Sequence, residues 1–305
     1  MKRMMMAACA ALVIPAISGF AQAAKPGGKV APKPLPVVSA ADASQLESLI
    51  GTSLRAKPAK ARRILVFSKC EGFVHGEGIV YGNKALEIAA SKTGAFQADF
   101  STDYAAINDK ANLFKYDAVV LNNTTMLKTK ANPAFVPNLI EFVKSGRGLC
   151  VIHSGADNFY DAPDAADMVG GQFDGHPWTA GGTWAFKLDD PSSPINEAFG
   201  GKNFKAGDEI YQQKSPFYDR SKLHVLVSLD LSDMATANSN VAKQKRADKD
   251  FAVSWIRPFG EGRVFYTSFA HDKRAFMDKA RLTHILDGLQ YTIGDLKADD
   301  KPVAK

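Results

Sequence analysis

Between residues 61 and 154 the chain alternates between continuous apolar runs and stretches with helical spacing. "RRILVFS" (62–68), "FQADFS" (96–101), "YDAVVLNN" (116–123) and "GLCVIHS" (148–154) are the runs, each short enough for a strand. Between the first two, "GIVYGNKALEIAASKTG" (78–94) predicts a helix that closes at Gly94. Between the last two, Pro133 opens a helix through Phe135, Leu139, Ile140 and Val143, ended by Gly146. Strands that are apolar on both faces, separated by helices, predict a parallel, doubly wound α/β sheet.

After residue 180 the pattern becomes β-rich, with runs at 183–188, 224–229, 251–256 and 263–269. Gly260-Glu261-Gly262 joins the last two as a hairpin-like turn. A final helix over about 276–296 puts Leu282, Ile285, Leu286 and Leu289 on one face, and its His284 reads as structural.

The amino-terminal region has a different character. Lys2-Arg3, an apolar run from Met4 to Phe20 and the small residues of "AQA" (21–23) read as a secretory signal peptide over 1–23. Pro15, Ser18 and Gly19 interrupt the run and no second apolar stretch follows, which argues against a membrane anchor. A lipoprotein is disfavoured because Cys9 lies too near the start. The expected location is periplasmic or secreted. Residues 24–60 combine a Pro/Lys-rich tether with a short helix over 39–56, residues 61–296 form one domain, and 297–305 are a polar tail.

Composition changes this picture little. The 305 residues are 46% hydrophobic and 23% charged, as in ordinary globular chains. Formal charge falls from +6 to +4 without Lys2 and Arg3, and is not clustered, so nucleic acid is not an expected partner. Past the signal peptide only Cys70 and Cys150 remain, too few for a disulfide framework; both read as buried thiols, although spacing leaves a bridge open.

In a parallel sheet, ligands gather beyond the carboxyl ends of the strands. His75 follows the first strand, Asn122-Asn123-Thr124-Thr125 the third, His153 the fourth and His271-Asp272 the last. One histidine at such a place is usually structural; three of the chain's six point to a site. His176 sits in "GGQFDGHPW" (170–178), either as a binding residue or in a turn where Trp178 covers apolar surface. "AGDEIYQQ" (206–213) offers Asp208, Glu209 and Tyr211 as base, metal ligand or sugar-hydroxyl partner, or forms an exposed turn before a strand. His224 opens a strand at the wrong end and is set aside.

Five stretches, "GFVHGEGI", "GRGLCVIHSGADNFY", "VGGQFDGHPW", "GDEIYQQ" and "GEGRVFYTSFAHD", resemble the trehalose-utilisation, or ThuA-like, proteins, in the family's order and across about residues 62–295. The resemblance implies a fold similar to the class I glutamine-amidotransferase-like group, a flavodoxin-like, mainly parallel sheet with a β-rich C-terminal half. It also implies a link to carbohydrate use. Amidotransferases of that group carry a cysteine on the elbow after the central strand, where this chain has His153. Cys150 lies inside the strand, so thioester chemistry on glutamine has no nucleophile.

An imidazole at that turn suits metal ligation or proton transfer. His75, His153, His176 and His271 would make a zinc-like divalent site, while a metal-free pocket with His153 and His271 as base and acid accounts for the same residues. The resulting expectation is an exported hydrolase, lyase or isomerase acting on a disaccharide or keto-sugar. Asp272 would orient His271. Asp208, Glu209, Tyr211 and Trp178 would bind substrate, with Phe159 and Tyr160 as further aromatic surfaces. The alternative is a non-catalytic periplasmic carbohydrate-binding protein.

Overall fold

The computed structural model describes residues 34–302. The signal peptide read over 1–23 and most of the following tether lie outside the described residues. Among the described residues no helix is long and apolar enough to cross a membrane.

Nine strands form one sheet: β1 (Arg63–Phe67), β2 (Gln97–Ser101), β3 (Ala118–Asn122), β4 (Gly148–Ile152), β5 (Thr183–Leu188), β6 (Phe204–Gly207), β7 (His224–Leu229), β8 (Ala252–Phe259) and β9 (Gly262–Thr267). Their spatial order is β2-β1-β3-β4-β9-β8-β7-β5-β6. The first five in that order run parallel. The β8–β9 hairpin then reverses direction, and each later neighbour is antiparallel.

Alternation along the parallel strands explains their unbroken hydrophobicity. Ile64, Val66, Val120, Cys150 and Ile152 share one core with Tyr81, Ala85 and Ala89 of the helix Gly76–Thr93 and with Leu282, Ile285 and Leu289 of the helix Lys279–Thr292. Leu65, Phe67, Val119, Leu121, Leu149 and Val151 face the opposite core, with Phe135, Leu139 and Phe142 of the helix Phe135–Lys144. Each such aliphatic side chain contributes about 1.5–3 kcal/mol on leaving water, and both faces of the strand are used.

The sheet departs from a mainly parallel one: four of its eight strand pairings are parallel and four antiparallel. Two elements escape the periodicity argument because they are short. β6 is a four-residue edge strand, and the helix Pro163–Val169 spans barely two turns. Helix ends also move inward. The amino-terminal helix is Ala40–Leu49, capped by Ser39, and the last long helix begins at Lys279 because Asp278 caps it. Cys70 and Cys150 are both free thiols.

Candidate metal centre

The carboxyl ends of β1, β4 and β9 deliver three imidazoles to one place. His75 stands at the cap position of the helix Gly76–Thr93. His153 follows β4 directly, with φ of 47° at the turn. His271 follows β9 by way of Ala270, whose φ is 85°. The helix must approach this turn closely: a Cβ at Gly78 would come within 2.6 Å of the Ala270 carbonyl oxygen. Ring centroids lie 4.8 Å apart for His75–His153, 4.9 Å for His75–His271 and 5.3 Å for His153–His271.

Glu209, just beyond the edge strand β6, closes the group. Its carboxylate is 3.3 Å from His271 Nδ1, 3.8 Å from His153 Nε2 and 3.4 Å from His176 Nδ1. One donor atom from each of His75, His153, Glu209 and His271 lies within 4.8 Å of all the others.

The surroundings fix which nitrogen faces inward. His153 Nδ1 is 2.6 Å from the Ser268 carbonyl oxygen, which only accepts, so Nδ1 carries the proton and Nε2 presents its lone pair. The Ser154 hydroxyl donates to Asn123 Oδ1 at 3.4 Å and so accepts from His75 Nδ1 at 3.1 Å, leaving His75 Nε2 unprotonated beside the Tyr211 hydroxyl at 3.4 Å. Two buried ring nitrogens, His153 Nε2 and His271 Nδ1, have no hydrogen-bond partner. The contact of His271 Nδ1 with Glu209 is one of charge, outside hydrogen-bond alignment. Orphaned buried nitrogens aimed at one carboxylate are costly unless something binds them.

Protonation states suit a cation. Burial, then the charge of His271, lowers His75 to about 4. Burial holds His153 well below the ordinary imidazole range, and its histidine neighbours add to the effect. Burial would also lower His271, but Glu209 outweighs it and raises this ring. Burial opposes ionisation of Glu209, yet contact with His271 and the nearby rings bring it below the usual carboxylate range. His75 and His153 as neutral imidazoles and Glu209 as an ionised carboxylate are in the forms that ligate metals, whereas His271, raised by Glu209, would give up its proton on binding an ion.

Backbone strain concentrates at the same end of the sheet. Of seven non-glycine residues with positive φ among those described, five (Asn123, Met126, His153, Phe159 and Ala270) lie on the loops that follow β3, β4 and β9. Such strain gathers where a site must be held in shape.

The other expected residues divide. Asp208 is buried and accepts from the backbone N–H of Ala270 at 3.0 Å, His271 at 3.2 Å and Glu209 at 2.9 Å, with Arg281 at 3.4 Å. It thus organises the turn and has nothing left to offer a sugar hydroxyl; burial pushes it up to about 6. The stretch carrying it is buried and follows a strand, in contrast to an exposed turn before one. Tyr211 lies against His153, ring centroids 4.4 Å apart. Asp272 caps the turn Lys273–Phe276 and binds Arg274 at 2.7 Å, so the orienting role expected of it falls to Asp208 and Glu209. Trp178 is fully buried, donates to the Thr236 carbonyl at 2.8 Å and packs on Phe251, out of reach of a ligand. His176 is 46% exposed at the mouth and stands outside the set of four.

His284 is a core residue between Ser254 and Ile195, and His224 pairs with Asp190, as structural roles require. Sequence reasoning missed Ser268, whose carbonyl fixes the His153 tautomer; no side-chain pattern announces a main-chain acceptor. A separate cavity lies at the amino end of the sheet; of the cations lining it, Arg62 and Lys60 pair with Asp117, and Arg63 with Asp99.

Residues 63–292 match the family model ThuA, described as trehalose utilisation. The chain belongs to the ThuA family. Two solved ThuA-like structures share its fold. A putative ThuA-like protein from Bacteroides uniformis is 20% identical with a TM-score of 0.61, covering 81% of this chain and 98% of its own. One from Parabacteroides merdae is 17% identical with a TM-score of 0.54, covering 80% and 95%. A search of curated proteins gave no match.

Proposed function

We propose that this ThuA-family chain is a metal-dependent enzyme acting on carbohydrate, with His75, His153, His271 and Glu209 as the ion's ligands. The observation that carries the reading is the pair of buried, unpartnered nitrogens, His153 Nε2 and His271 Nδ1, beside one ionised carboxylate. Three imidazoles and a carboxylate suit zinc and the other borderline first-row divalent ions, whereas magnesium and calcium prefer oxygen alone. Bound there, such an ion supplies Lewis acidity toward a sugar oxygen or toward water.

The chain's own residues supply the rest. Ser268 and Ser154 hold two rings in the ligating tautomer, and Asp208 sets the turn that carries His271. His176 stands at the mouth beside Glu209 and is placed to take or give a proton. The family's description, trehalose utilisation, directs attention to disaccharides; on these or on a keto-sugar, hydrolysis, elimination or isomerisation would all begin by polarising an oxygen. The strand order 2-1-3-4 supports kinship with the flavodoxin-like, amidotransferase-related folds. The pattern of residues 1–23 supports export to the periplasm or beyond.

Elemental analysis of the purified chain tests this reading. About one first-row divalent ion per chain is expected, with strong loss in His153→Ala and Glu209→Gln. A chain that stays metal-free after incubation with zinc, manganese and cobalt would refute it. Saturable sugar binding without turnover in the loaded protein would favour a binding role.

A further inference from the structure

Nine large hydrophobic side chains are exposed among the described residues, and four of them, Phe73, Val74, Met126 and Tyr160, belong to the loops beside the histidine cluster. Scattered exposed hydrophobics need no explanation, but a linked group does. Phe73 is 67% exposed, and its ring meets that of His75 edge-on at 4.7 Å. The Thr125 hydroxyl donates to the Phe73 carbonyl at 2.8 Å. Met126 lies across Gly72, where an added Cβ would come 2.8 Å from its side chain. The Met126 N–H donates to the Asp157 carbonyl at 2.8 Å, and the Tyr160 hydroxyl donates to the Asp157 carboxylate.

These links tie the loops carrying Phe73, Met126 and Tyr160 into one apolar collar, with Val74 next to Phe73 in the chain and Met126 itself at a φ of 48°. Resting on the proposed carbohydrate site, we infer that the collar receives an aromatic aglycone, making the substrate an aryl glycoside. A second sugar ring would bring hydroxyls to a surface where Phe73, Val74 and Met126 offer no polar side-chain atom and the Tyr160 hydroxyl is already engaged. Hydroxyls that lose water without gaining a partner cost binding energy, whereas a flat aryl group loses none there. A fixed collar also spares the ligand the cost of ordering it.

Calorimetric titration of the protein as purified, with its metal content measured in parallel, tests the inference. The probes are phenyl and methyl glucosides and galactosides of both anomers, and trehalose. The best phenyl glycoside is expected to bind about tenfold or more tightly than its methyl counterpart, and more tightly than trehalose. Phe73→Ser and Met126→Ser should erase the phenyl advantage while methyl glycoside affinity and melting temperature stay unchanged, and in Met126→Ser metal content should stay unchanged as well. Equal phenyl and methyl affinities, no measurable phenyl glycoside binding, tighter binding of trehalose, or equal losses for both glycosides in the variants would each overturn the collar's role. A metal-free protein that still shows the phenyl preference would refute the metal centre and leave the subsite standing.

Discussion

Asp208 accepts the backbone N–H of His271 at 3.2 Å while the next residue in the chain, Glu209, faces the ring of the same histidine at 3.3 Å. Adjacent carboxylates thus act on the main chain and the side chain of one proposed ligand. Asp208→Asn should therefore weaken metal binding about 10–100-fold, as loss of an orienting partner does. It should also destabilise the fold by about 3 kcal/mol, since the buried Arg281 loses its buried countercharge and keeps only the more exposed Asp278 at 3.5 Å. Asp272→Asn, by contrast, should leave metal content intact. Equal metal loss in both would argue against this division of roles, and metal analysis with thermal melts decides it.

His153→Ala removes a proposed ligand whose tautomer is already set by Ser268. Chelation should lower the melting temperature of the wild type but scarcely move that of the variant. Ligand present at about a thousand times its Kd stabilises a fold by roughly 4 kcal/mol, an effect readily seen in a melt.

His284 provides a pH test away from the centre. Burial lowers it to about 4, against an ordinary value near 6.5, and the Ile195 carbonyl only partly opposes this. Because its folded value is depressed, the unfolded chain takes up the proton first as pH falls. The fold should lose stability from this group between about pH 6.5 and 4, by about 3 kcal/mol in all. Asp208 and Asp287, raised by burial to about 6, act in the opposite sense over part of that range. The difference between wild type and His284→Asn is therefore the quantity to follow, by urea unfolding at several pH values. A constant difference would show that His284 does not titrate in this way.

Cys150 is fully buried, and burial pushes its thiol far above the usual range. Iodoacetamide should leave it unlabelled in the native protein, and Cys150→Ala should keep metal content and turnover. Loss of turnover with the metal still bound would bring thiol chemistry back into consideration.

The parallel half of the fold was legible because its strands are buried on both faces and are separated by helices with clear endings at Gly94 and Gly146. β6 was not, since "FKAG" is too short and too exposed to carry a period. In the site, His75, His153 and His271 were found from their places after strands. Glu209 was noticed as an acid, but only the sheet shows it opposite the imidazoles, because β6 and the loop after it approach through antiparallel pairings that the sequence does not announce. Trp178 misled for a related reason: a glycine-rich loop reads as surface, yet its indole is anchored on Thr236.

β9, the last strand in chain order among the described residues, lies between β4 and β8 and carries the turn to His271. Only its pairings join the two halves of the sheet, and His271 reaches His75 and His153 only once it is in place. A nascent chain lacking this segment would present no complete coordination sphere. If the proposed ion binds, its capture would therefore come late in maturation, after β9 has joined the two halves of the sheet.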